Sequence, residues 1–156
     1  MADEIKLNGA DILEQLLTEL PDDIAKKVGE KAIRDGAKII LEEAQNLVPE
    51  GRTGKLADSL AIKKIKMTNP AFTIYARRKG GFGGWHANLV EFGTKPHNIR
   101  NVWIGGKFFK LVKHPGTPPR PFMRPALMGK QAEAVKTVGE NLFKYCSNKL
   151  KKGMKK

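Results

Sequence analysis

The chain has 156 residues, with 29 Lys and Arg against 16 Asp and Glu, a formal net charge of +13 and one cysteine. That length suits one ordinary domain with a real hydrophobic core, and the lone Cys146 leaves no internal disulfide and no cysteine-based zinc site. No run approaches the roughly 18 apolar residues of a membrane span, and the charged Met-Ala-Asp-Glu-Ile-Lys start lacks a signal-peptide apolar region, so the expectation is a protein made inside the cell with no membrane partner.

Charge is unevenly placed. Residues 1–50 hold twelve acids and six bases, whereas residues 51–156 hold 23 bases and only Asp58, Glu91, Glu133 and Glu140 as acids. Such asymmetry points to a polyanion or an acidic protein neighbour for the later part of the chain; a highly soluble surface with a basic tail gives the same composition. Five lysines fall in residues 149–156, and the stretch 151–156 is expected to be a solvated, disordered basic tail behind a single domain over 1–150.

In chain order, Asn8 with Asp11 three residues on has the form of a capping box, and Ile12, Leu13, Leu16, Leu17 and Leu20 make one apolar stripe ended by Pro21. Asp22 and Asp23 then stand where acids favour a helix start. Ile33, Ala37, Ile40, Leu41, Ala44, Leu47 and Val48 follow helical spacing until Pro49 and Gly51 stop it. From Ser59 the period changes. Leu60, Ile62 and Ile65 alternate with Lys63, Lys64 and Lys66, Thr68–Ala71 has turn composition, and Phe72 to Arg77 reads as a second strand, which makes a hairpin. Four glycines in Gly80–Gly84 form a loop expected to be mobile unless a partner holds it.

Trp85 to Phe92 reads as a short helix with Gly93 as a left-handed C-cap. Asn101–Ile104 and Lys107–Val112 flank Gly105-Gly106 as a tight hairpin. His114 to Leu127 then carries five prolines, so it can be neither a central strand nor a helix interior. Arg120 and Arg124 each precede a proline and are pushed towards extended backbone. This predicts a stiff strap that carries Phe122 and Met123 and launches a last helix at Pro125, the position where a missing N–H costs nothing; the bland alternative is a surface linker. Val135, Val138, Leu142, Cys146 and Leu150 give that helix its stripe, with Phe143 widening it. The order of elements argues for an α+β fold: a mostly antiparallel sheet of about four strands, two long helices packed on one face, and a short N-terminal helix.

No catalytic constellation emerges, and the chain is read as a non-enzyme without cofactor or metal. A two-metal site needs clustered carboxylates, yet acids are sparse after Asp58, and His86, His97 and His114 lack ligand spacing. Cys146 sits on an apolar stripe, as a core residue would. Gly80–Gly84 has no Gly-Lys-Ser/Thr ending and is no phosphate loop. Glu91, isolated among bases, is expected to accept hydrogen bonds from Arg124, Arg120 or backbone donors and to fix the strap to the short helix. Arg77, Arg78, Lys79, Phe82 and Trp85 mix bases with aromatics around the glycine loop. Such a set can grip phosphates and stack bases, or become ordered against a neighbouring subunit with Phe82 and Trp85 as anchors.

Three blocks also carry a resemblance. Thr53-Gly-Lys-Leu-Ala-Asp-Ser-Leu60, Val90-Glu-Phe-Gly-Thr94 and Arg120-Pro-Phe-Met-Arg-Pro-Ala-Leu127 occur in the order shown by the neck and tail-completion proteins of long-tailed bacteriophages, the minor tail protein Z-like family. The chain resembles that family from about residue 24 to 150. The resemblance implies a structural protein of the virion's head–tail junction. It would assemble as a homo-oligomeric ring, a hexamer, between the head connector or head-closure protein and the tail terminator or tail tube. Double-stranded DNA would pass through without sequence-specific binding. This sequence departs from the family at Arg52, where an acid is usual, and in a longer Gly80–Gly84 loop and 95–113 insertion. The alternative is a free nucleic-acid-binding protein using the basic later two-thirds.

Overall fold

A computed structural model of the chain describes residues 14–15, 17–18, 20–49, 51, 54–66, 71–78 and 83–153. Its elements are α1 (Asp22–Leu47), α2 (Lys55–Ser59), β1 (Leu60–Ile65), β2 (Ala71–Ala76), a 3₁₀ turn (Gly84–His86), α3 (Ala87–Phe92), β3 (His97–Ile104), β4 (Lys107–His114) and α4 (Met123–Gly153). The expected Asn8 cap, the stripe residues Ile12, Leu13 and Leu16, the turn at 68–70, Arg52, Thr53, Lys79, Phe82 and the tail end 154–156 lie outside the described residues.

The scaffold is the antiparallel-type packing of α1 along α4. α1 begins directly after Pro21, with Asp22 and Asp23 in its first turn, and ends where Val48 turns extended ahead of Pro49. Its buried positions Val28, Ala32, Gly36 and Ala44 fall on steps of four, a row of mostly small side chains that lets a second helix approach closely. At Gly36 the approach leaves no room for a side chain: a Cβ there would stand 2.5 Å from Val138 Cγ2 and 3.0 Å from the Ala134 carbonyl oxygen. Towards one end, Leu20 and Val28 bury Cys146, with Leu142 and Tyr145 packed around them. Towards the other, Ala44, Leu56, Leu60, Ala87, Phe122 and Ala126 form the main cluster, so all four helices and the first hairpin contribute to one core or the other, β2 through Ala76, while the 3₁₀ turn and the β3–β4 hairpin do not.

The α+β class holds, but a single four-stranded sheet does not form. β1 pairs only with β2 and β3 only with β4, giving two separate two-stranded antiparallel sheets. The first hairpin lies on α1, where Lys64 is also paired with Glu30. The second, registered from His97↔His114 to Ile104↔Lys107, packs chiefly on itself. Its turn at Gly105 and Gly106 has φ of 56° and 78°, the two successive positive values that a tight hairpin needs. Its strands are longer than expected, starting at His97 and running to His114, while β2 starts one residue earlier and stops at Ala76.

The last helix also differs from expectation at both ends. It starts at Met123, which puts Pro125 at its third residue rather than its first, still inside the turn whose N–H groups have no helical partner. It continues to Gly153, into the stretch expected to be a disordered tail. Val135 and Phe143 do not join the core stripe: they are 38% and 50% exposed, because α1 covers only the face that holds Ala126, Ala134 and Cys146. The side chain of Leu150 is outside the description.

Candidate assembly surfaces

The proline strap is docked at three places in sequence. The Thr94 and Thr117 backbones exchange hydrogen bonds at 2.9 and 3.1 Å, and the Arg120 N–H donates to the Val90 carbonyl at 2.8 Å. Phe122, 1% exposed, then plugs the main core. Gly93 makes the first contact possible. Its φ of 70° and ψ of −173° belong to a region open essentially to glycine alone, and a Cβ would collide with the Thr117 oxygen at 2.5 Å. It is therefore not the left-handed helical cap anticipated, but the point at which the strap crosses the end of α3.

Glu91 joins this crossing to α4. Its Oε2 accepts the N–H groups of Phe122 at 2.7 Å and Met123 at 3.0 Å, and its Oε1 accepts that of Arg124 at 3.2 Å. The next residue, Pro125, has no N–H, and the Ala126 N–H already bonds to the Phe122 carbonyl. One carboxylate from a different helix thus satisfies every free donor at the start of α4, where the helix dipole also favours a negative charge. The donors are backbone amides; the Arg120 and Arg124 side chains are exposed.

Of the loop candidates, Arg77 is held by its own fold. Its N–H and guanidinium donate to the Ser59 carbonyl at 2.9 and 3.4 Å, and the guanidinium also reaches the Asp58 carbonyl at 2.7 Å. Arg78 is exposed, and Trp85 is 67% exposed.

The structure brings together three imidazoles that the sequence keeps apart. His97 and His114 face each other across β3–β4 with ring centroids 5.0 Å apart, and they line the same cleft of about 990 Å³ as His86, Trp85, Leu89 and Arg120. Among the described residues, however, no group of three or more His, Cys, Asp or Glu is placed to hold a metal ion. A second cleft of about 990 Å³, lined by Phe72, Tyr75, Phe92, Phe122, Met123 and Leu127, lies across α3 from the first.

The titratable groups with perturbed pKa lie at the helix pair instead. Burial works against the charge of Asp35, but hydrogen bonds from Lys38 and Tyr145, with the charges of Lys38 and Lys31, outweigh it and hold the carboxyl below its ordinary range. The Tyr145 hydroxyl donates to Asp35 at 2.7 Å, and this bond, with burial, pushes the phenol up. Burial alone raises the Cys146 thiol, as befits a core sulfur.

What remains exposed is apolar to an unusual degree. On β3–β4, Trp103, Ile104, Phe108 and Leu111 are 70%, 51%, 53% and 52% exposed; along α3 and its 3₁₀ turn, Trp85, Leu89 and Phe92 are 67%, 45% and 77% exposed. Scattered apolar residues are ordinary on a surface, but clusters of large ones mark contact sites. Taken together, the docked strap, the carboxylate-capped helix and these exposed side chains define an α+β module with large apolar residues left open to contact.

The family follows from comparison with known proteins. The model of the family described as "Bacteriophage HK97-gp10, putative tail-component" matches residues 11–93, more than half of the chain, and the chain belongs to that family. No curated protein and no solved structure matches it. It is accordingly a bacteriophage tail component with a structural role in the virion. The match spans α1 to Gly93 and includes the 53–60 and 90–93 blocks, while the strap and α4 lie beyond it. No helix among the described residues is long and apolar enough to cross a membrane.

Proposed function

We propose that this tail component is a ring-forming protein of the head–tail junction, whose copies join the head connector to the tail tube and surround the DNA that passes between them. The observation that carries the reading is the β3–β4 hairpin. It is a two-stranded unit of a kind that is marginally stable alone in water. It exposes Trp103, Ile104, Phe108 and Leu111 among Arg100, Lys107, Lys110 and Lys113, with no acid between His97 and His114. A surface of that composition is suited to cover by protein, and the basic balance of residues 51–156 suits a wall near DNA or an acidic neighbour. A hexamer and contacts with head-closure and tail-terminator proteins belong to the same reading.

The geometry favours this over a free nucleic-acid binder. Arg77, one of the bases expected to grip phosphate, is engaged with the Ser59 and Asp58 carbonyls. A channel wall should also hold duplex DNA only in the non-specific range, about 10⁻⁴ to 10⁻⁶ M at physiological salt. The test is imaging of particles produced by a phage lacking this gene. Filled heads and finished tails that fail to join are expected. Joined, infective particles in normal number would reject the junction role.

A further inference from the structure

We infer that the open edge of β2 and the cleft beside it take an extended, acidic segment of another protein of the particle, which adds a third strand to the first hairpin. The inference rests on the chain's structural role in the virion and holds whether or not its copies close into a ring.

The ladder fixes which backbone groups are free. β2 pairs with β1 from Leu60↔Ala76 to Ile65↔Ala71, and among the described residues no strand pairs with its other side. The Arg77 N–H donates to the Ser59 carbonyl, so Leu60 and Ala76 face each other without mutual hydrogen bonds. The bonded pairs are then Ala61 with Tyr75 and Lys63 with Thr73. The N–H and C=O groups of Phe72 and Ile74 therefore point away from β1. Phe72, Thr73, Ile74, Tyr75 and Ala76 all line the second cleft, as happens where a cleft runs beside a strand's edge rather than over one face. Such an edge is a template for a further strand, and a sheet of two strands is stabilised by a third.

The other walls of the cleft say what that strand carries. Phe72, Ile74 and Ala76 share a hairpin face with Leu60 and with Lys64, whose partner Glu30 places that face against α1. On that side the cleft is lined by Ile40, Met123 and Leu127, so alternate residues of an added strand meet apolar side chains. Charge supplies the rest. Arg78 and Arg124 line the same cleft with exposed side chains, and no ion pair among the described residues engages either. Glu91, the one acid among the lining residues, is taken up by the three amides at the start of α4. Carboxylates on the incoming segment would meet both guanidiniums. The same charge turns away the β3–β4 hairpin of a second copy, which carries Arg100, Lys107, Lys110 and Lys113 and no acid. Duplex DNA has the charge but no peptide groups to pair with the edge.

The test is amide exchange, followed by NMR, on the full-length chain titrated with a short capped peptide of alternating valine and glutamate. Expected is saturable binding in which exchange at the Phe72 and Ile74 amides slows by about tenfold or more. Thr73 and Tyr75, already bonded to β1, should change little. Arg78→Ala combined with Arg124→Ala should weaken binding about tenfold while leaving the exchange pattern of the free chain as it was. A valine–lysine peptide and a peptide with the sequence of residues 107–114 should not bind. Binding of the 107–114 peptide as tightly as the acidic one would assign the edge to a second copy and overturn the inference. Displacement of the acidic peptide by a short DNA duplex at equal concentration would assign it to nucleic acid instead. Absence of binding by the acidic peptide, or binding that leaves Phe72 and Ile74 unprotected, would overturn it outright.

Discussion

The Glu91 carboxylate lies 2.7 Å from the backbone nitrogen of Phe122, 31 residues later in the chain. That single contact ties the end of α3 to the start of α4, and the side chain of Phe122, just after the strap's last docking point, is sealed into the core between them. Replacing Glu91 by Ala strands three amide donors, one of them buried, and should cost about 2 kcal/mol of stability. Glu91→Gln retains one acceptor oxygen and should cost roughly half as much. Urea denaturation of both variants measures this; equal stability to wild type would show that water serves these amides as well.

Phe122→Ala removes the largest fully buried side chain in the described structure and should cost about 3–5 kcal/mol. A melting temperature unchanged within error would return the strap to the status of a linker.

The sequence shows why the strap and Glu91 were legible and the sheet was not. Prolines fix backbone angles locally, so residues 114–127 declare an extended path whatever surrounds them. Glu91 declares itself by isolation, a carboxylate in a basic region needing donors. Alternation of apolar residues, by contrast, identifies strands but not which hairpin pairs with which, so two separate sheets read like one of four strands. Likewise, spacing put Val135 and Phe143 with Val138 and Leu142, although α4 has two apolar faces and α1 covers one. Pro125 marks the start of α4 in the sequence, whereas the cap that starts the helix two residues earlier comes from another element. Nor could spacing reveal that β3–β4 register sets His97 opposite His114.

Gly36 should resist even alanine. A methyl at that position meets Val138 Cγ2 at 2.5 Å, so Gly36→Ala should destabilise by about 1–3 kcal/mol even though alanine is the better helix former by about 1 kcal/mol. Adding Val138→Ala opens the space and should recover part of the loss. Thermal melts of the single and double variants decide it; a stabilised Gly36→Ala would mean that α1 and α4 sit further apart.

The Asp35–Tyr145 pair sets a pH dependence at both extremes. The Asp35 pKa is lowered on folding, so its contribution is present above the ordinary value of 3.8 and is lost as pH falls through the folded pKa. The Tyr145 pKa is raised, so its contribution is full below the ordinary value of 10.0 and is lost as pH rises through the folded pKa. Tyr145→Phe should reduce the alkaline loss, leaving the part that comes from the buried Cys146 thiol, and weaken the acid one, since Lys38 and Lys31 still favour the charged Asp35. Denaturation midpoints across the pH range give the comparison, and an unchanged alkaline limb would refute the pairing.

The most direct measurement of the central claim is a reconstruction of the head–tail junction in complete particles, with this chain carrying a small terminal tag. The account predicts tagged density in a closed ring of equivalent copies around the DNA path. Tag density along the tail shaft, at the tail tip, or as isolated copies would contradict it.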